Sequence, residues 1–154
     1  MPSSVQLIPA DPSAVPAPVA GRTTLFINSA AGNLPSVKDS AANVVAMPRV
    51  LTKRFTYADT SPSLIGLAPN GKLVLHVRVF ITQTFDGTGA ALTVGSGGTP
   101  NDLMASTDNT PGTVGLYEKS PAVQYGADTN INITITPGTG ATQGAGLVIV
   151  EIEP

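Results

Sequence analysis

The sequence predicts an all-β protein: a β-sandwich or jelly-roll-like body over residues 49–154, with an extended N-terminal arm over residues 1–48. Three observations carry that expectation. Residues 1–48 hold seven of the fourteen prolines but only two of the sixteen glycines. From residue 49 onward, apolar and polar residues alternate in short runs, the pattern of half-buried strands. Gly, Pro, Asn and Asp punctuate those runs at short intervals, which suits a sandwich of about seven strands rather than a helical fold.

The arm begins with residues 1–21, which contain five prolines (2, 9, 12, 16 and 18). Proline fixes its own φ and pushes the preceding residue toward extended geometry, so this stretch reads as extended and mobile. Residues 23–27 (TTLFI) are β-branched and aromatic and suit a strand. Residues 34–38 and 43–47 read as two more short strands around Asp39-Ser40. The stretch 36–47 lacks Gly and Pro, so a short helix is the rival reading there.

In the body, residues 49–58 place Leu51, Phe55 and Tyr57 on one face and Thr52, Arg54 and Thr56 on the other. Pro69-Asn70-Gly71 signals a turn. Residues 72–84 form the longest strand candidate. Leu73, Leu75, Val77, Val79 and Ile81 share one face, and Val74, His76, Arg78 and Phe80 the other. Short strands follow at 91–94 and 114–119, separated by loops at 95–102 and 105–113. Residues 130–136 alternate, with Ile131, Ile133 and Ile135 inward. After a glycine-rich loop at 137–144, residues 145–152 are apolar on both faces, as in a strand central to its sheet or at a subunit contact.

Composition narrows the function. Charged residues are only 12% of the chain, while hydrophobic residues are 42%, so the body is expected to fold rather than remain disordered. There is no cysteine, which removes disulfides and thiolate metal sites. No apolar run reaches the length of a membrane span, and the N-terminus has neither the basic nor the apolar region of a Sec-type signal. Charge is uneven. In residues 1–54 five cations against two aspartates give +3, and in residues 55–154 three cations against eight acids give −5. A basic stripe with interleaved aromatics is absent, so a nucleic-acid partner is not expected.

The residues that chemistry would use are few. His76 is the single histidine and sits mid-strand without a nucleophile motif, so a Ser-His-Asp site is not expected. Asp86, Asp102, Asp108 and Asp128 lie in loops that resemble calcium-binding loops in composition, but no D-x-[DN]-x-[DN]-G pattern occurs and turn chemistry is the simpler role. Glu118 and Glu151 are the strand glutamates available for glycoside hydrolysis, and nothing in the sequence places them together. Tyr57, Tyr117 and Tyr125 are the candidates for a carbohydrate surface, without a tryptophan to support them. These readings predict a non-enzymatic protein with no catalytic residues, no metal and no cofactor.

Several segments carry a family resemblance: FTYADTS, the Pro-Asn-Gly turn, VRVFITQTFDGTGAALTVG, LMASTD, GLYEKS and TNINITITPGTGATQGAGLVIVEIEP. With the P-x-P-x-x-G element at 16–21 and the Gly-x-Leu turn and Lys-Asp-Ser step that follow, they resemble the trimeric β-sandwich module of tailed-bacteriophage virion structural proteins. The GSGG run at 95–98 departs from the more acidic loop of that pattern and puts an ion there in doubt. The resemblance implies a homotrimeric virion component and is not specific for its place in the virion. The basic, proline-rich arm joined to an acidic body makes the leading expectation a capsid decoration (cement) protein on the exterior of the virion, made in the host cytoplasm, whose arm clamps neighbouring major capsid subunits. Val5, Leu7, Ile8, Arg22, Leu25 and Phe26 would be the arm's anchors. The alternatives are a head-fibre, tail-fibre or baseplate subunit touching host glycan, or a cellular carbohydrate-binding β-sandwich. No membrane partner is implied.

Overall fold

The computed structural model describes residues 9–20, 22–29 and 34–154, and it is all-β. The chain divides into two compact units, Met1–Arg49 with Pro154, and Val50–Glu153. The anchors Val5, Leu7 and Ile8 lie outside the described residues.

The smaller unit is a four-stranded sheet in the order β1-β2-β3-β4. Its strands are β1 (Pro9–Ala10), β2 (Thr24–Asn28), β3 (Leu34–Lys38) and β4 (Val44–Ala46). β2 and β3 run antiparallel, as do β3 and β4, while β1 lies parallel to β2 with Ala10 opposite Asn28. The helical reading of 36–47 loses to a turn because Asp39 organises one. Its carboxylate accepts hydrogen bonds from the amides of Ala41 (2.9 Å) and Asn43 (2.8 Å), competing with any helical path. The proline pattern does not predict that part of the arm pairs with β2. Proline at the first position of a two-residue edge strand leaves no ladder donor missing from a sheet interior.

The larger unit is a two-layer sandwich. One sheet has the order β10-β7-β12-β5, with β9 also pairing β7, and the other has the order β6-β11-β8. The strands are β5 (Arg49–Thr56), β6 (Ser63–Ala68), β7 (Leu73–Gln83), β8 (Ala91–Ser96), β9 (Gly115–Lys119), β10 (Val123–Gln124), β11 (Thr129–Thr136) and β12 (Ala145–Ile152). A one-turn 3-10 segment, Ser106–Asp108, interrupts the loop before β9. Between the sheets, Val77, Val79, Ile81, Val148 and Val150 join Leu92, Val94, Ile131 and Ile133 in one buried cluster. Phe55 and Phe85 extend it, with ring centroids 6.3 Å apart.

Two details depart from simple alternation. β12 pairs His76 with Glu151 but Val74 with Ile152, a register shift that leaves Leu75 as the extra residue. A bulge of one residue reverses the faces beyond it, so Val74, expected beside His76, is buried with Val77 instead. β6 was not anticipated from sequence. Its six residues are bounded by Pro62 and Pro69 and carry Gly66, and its pairing with β11 also shifts register at Ile131/Asn132. β12 does sit centrally, between β7 and β5. Its Val148, Val150 and Ile152 are fully buried, while Leu147 and Ile149 on the other face are half-buried.

Gly146 permits close packing in the core. A Cβ there would stand 2.5 Å from the tip of the Phe55 ring and 2.7 Å from the Phe80 carbonyl oxygen. Gly146→Ala is therefore expected to destabilise the chain by about 1–3 kcal/mol, the usual cost of overpacking. Gly97→Ala, where a Cβ meets nothing within 4 Å, is expected to be near neutral. Urea unfolding midpoints of the two variants decide this, and equal midpoints would contradict the packing argument.

Candidate assembly surfaces

The outer face of the five-stranded sheet is built by cross-strand register. β7 pairs β9 on one side and β12 on the other, so Leu116, Phe80 and Leu147 form one row across three strands. The next row is Glu118, Arg78 and Ile149, and beyond it His76 faces Glu151. Phe80 is 42% exposed and Leu116 60% exposed, with Val114 and Val50 also open to solvent on the same unit. The exposed part of this row, Leu116 and Phe80, is a candidate contact patch.

Arg78 closes the polar end of that face. Its Nε donates to Glu118 Oε2 at 3.0 Å and its Nη1 to Glu151 Oε2 at 3.3 Å. The two strand glutamates, which the sequence gave no reason to bring together, thus meet on one guanidinium. The hydrogen bond from Arg78 holds the Glu118 carboxyl below the usual range. A glycosidase acid needs the opposite, a carboxyl raised so that it carries a proton. His76 Nδ1 lies 2.9 Å from Ser120 Oγ and 3.4 Å from Glu118 Oε1, so serine and carboxylate crowd the same ring nitrogen instead of flanking the ring.

All seven aspartates of the chain, 11, 39, 59, 86, 102, 108 and 128, accept hydrogen bonds from protein donors. Asp102 shapes the GSGG loop: its carboxylate takes the Ser96 amide (3.0 Å), the Ser96 hydroxyl (3.1 Å) and the Tyr125 hydroxyl (2.9 Å). Burial, then the neighbouring Asp102, pushes the Tyr125 phenol well above its ordinary value. Asp86 receives the Thr142 hydroxyl and the amides of Thr142 and Gln143, which ties two distant loops together. The Tyr117 hydroxyl donates to the Thr110 and Thr113 carbonyls. Tyr117 and Tyr125 therefore hold loops with the groups that a sugar would use. Among the described residues there is no pocket and no cluster of three or more His, Asp or Glu residues able to hold a metal ion.

The smaller unit has its own apolar face. Leu25 (52% exposed) pairs with Val37, and Ile27 pairs with Pro35, on one side of the sheet. Of the anchors named from sequence, Arg22 is exposed just before β2, and Leu25 is on this open face. Phe26 points the other way and is only 5% exposed, so its ring offers no surface to a partner. Sequence reasoning missed the Leu116–Phe80–Leu147 row, because strand register is not visible in a single strand's pattern. The unusual presence of Phe80 on the polar side of β7 was the available signal.

No family model matches the sequence, and no curated protein matches it. Solved structures do share the fold. A chain in the cyanophage Pam1 capsid asymmetric unit superposes with a TM-score of 0.54 at 19% identity, over 69% of this chain and 84% of that one. A chain in the acidic stable capsid structure of Helicobacter pylori bacteriophage KHP30 superposes with a TM-score of 0.58 at 10% identity, over 71% of this chain and 89% of that one.

The aspartate network sets an acid limit. Hydrogen bonds from their neighbours, chiefly Ser13, Asn43, Thr142 and Lys119, hold Asp11, Asp39, Asp86 and Asp108 below their unfolded values. Groups lowered on folding stabilise above the unfolded pKa, and that stability is lost as pH falls through the folded pKa. The thermal midpoint is therefore expected to fall mainly below about pH 4, the unfolded range of aspartate. Asp86→Asn should flatten part of that fall. An Asp86→Asn profile parallel to the parent's would remove Asp86 from the account.

Proposed function

We propose that this protein is a capsid decoration (cement) protein of a tailed bacteriophage, bound to the exterior of the shell as a homotrimer. The observation that carries the reading is the sandwich fold shared with chains of two phage capsids. The absence of a pocket among the described residues and the apolar row Leu116–Phe80–Leu147 support a role in contact rather than in chemistry. In this reading the outer face of the five-stranded sheet meets neighbouring copies, and the arm lies across adjacent major capsid subunits. Linking three arms raises the effective concentration of each at its site, so weak individual contacts hold together. Proline in the arm lowers the entropy lost when it becomes ordered.

Purified protein added to expanded, undecorated shells is expected to bind to saturation at a fixed ratio and to raise the shells' melting temperature. Failure to bind would overturn the decoration reading, and binding to tail structures instead would favour a fibre. Removing residues 1–21 is expected to abolish shell binding while leaving the oligomer intact.

The copy-to-copy surface has a separate test. Phe80→Asp combined with Leu116→Asp places two charges on the exposed row without touching the core. Sedimentation is expected to show the variant as a folded monomer where the parent is a trimer. An unchanged mass would move the contact elsewhere.

A further inference from the structure

We infer that residues 9–15 form a latch, held on the smaller sheet by the buried Lys38 ammonium and poised between a docked and a released state. Three contacts dock the segment. Pro9 and Ala10 run parallel to β2, and the Ser29 amide donates to the Ala10 carbonyl at 3.0 Å. Asp11 then turns the chain by accepting the Ser13 amide at 2.7 Å, and the Ala14 amide donates to the Asp11 carbonyl at 3.0 Å. The turn carries residues 12–15 over the face of the sheet that holds Phe26 and Ser36, where Val15 is buried. There Lys38 Nζ donates to the Pro12 carbonyl at 2.9 Å and to the Val15 carbonyl.

Lys38 makes this arrangement two-sided. Its side chain is buried, with only 7% of the residue exposed, and it takes part in none of the ion pairs among the described residues. Lysine is almost never buried without a pair, because dehydrating a charge costs more than neutral acceptors return in full. Its two acceptors are backbone carbonyls of the latch itself. When the latch lifts, those hydrogen bonds and the burial of Val15 are lost, but the ammonium regains water. The opposing contributions leave the docked state only modestly favoured, the condition for a segment that opens without unfolding what it rests on. Release would expose a cation and an apolar side chain together, on the face of the sheet opposite Leu25. A role for that release in shell binding rests on the decoration reading, whereas the latch itself does not.

Amine acetylation of the full-length protein, read at each lysine by mass spectrometry, measures the released population. A minor state populated at about 0.1–10% predicts that Lys38 reacts about ten to a thousand times more slowly than Lys53. Reaction at the rate of Lys53 would mean the latch is not docked. Protection as great as that of the buried amides of β12, measured by hydrogen exchange, would mean the segment opens only with global unfolding. Either result overturns the proposal. Lys38→Met removes the donor and leaves the Pro12 and Val15 carbonyls without it, so exchange at the Ser29 amide, which is bonded to the Ala10 carbonyl, is expected to accelerate at least about tenfold. The Tyr57 amide, bonded to the Gly144 carbonyl in the larger unit, should not change. Unchanged exchange at Ser29 in this variant would remove Lys38 as the latch. Repeating the acetylation on shell-bound protein separates the two ideas: absent binding defeats the decoration reading and leaves the latch measurement standing.

Discussion

The larger unit depends on one apolar layer, the β-branched side chains of β7 and β12 in one buried cluster with the aliphatic side chains of β8 and β11. That layer dictates which side of each strand must face inward, and by alternation which residues must face out. Val79 and Ile81 inside place Phe80 outside, and Val148 and Val150 inside place Leu147 and Ile149 outside. Folding asks nothing apolar of those outward positions, since one face of an antiparallel sheet can be solvated. Their apolar character is therefore surplus to the fold. Register aligns these outward apolar side chains into one row across β9, β7 and β12.

The sandwich was legible in the sequence because β11 and most of β7 alternate with period two, while β12 reads as a strand from its short continuous apolar run. What escaped was decided between strands. β6 is short, bounded by proline and interrupted by Gly66, so its own pattern is weak and its existence depends on pairing with β11. The side taken by Val74 depends on a bulge that only the register with Ile152 reveals. The pairing of Glu118 and Glu151 through Arg78 joins three strands from distant parts of the chain, which no local motif encodes.

The smaller unit teaches the opposite lesson. Its composition suggested an extended strap, and residues 9–20 of it hold no helix. The same composition says nothing about whether such a strap is free or laid down on a neighbouring sheet. Lys38 decides that, and a lone lysine in a strand of alternating residues looks, in sequence, like any solvent-facing cation. The aspartates complete the contrast. In both units they shape loops by accepting nearby amides and hydroxyls, a role that aspartate's turn preference already suggested for Asp86, Asp102, Asp108 and Asp128.

The position of β12 carries a consequence for how the chain is made. It is last among the strands in chain order, yet it lies between β7 and β5 in the five-stranded sheet. A chain growing from its N-terminus therefore holds β5 and β7 apart, each with an open edge, until β12 has been synthesised. The local turns can form early, but the sheet cannot close in stages. The outer row also lacks Leu147 until that moment. An unfinished chain thus presents neither a completed sheet nor the full outer row, and the edges of β5 and β7 that β12 will fill stay unpaired until the strand between them is made.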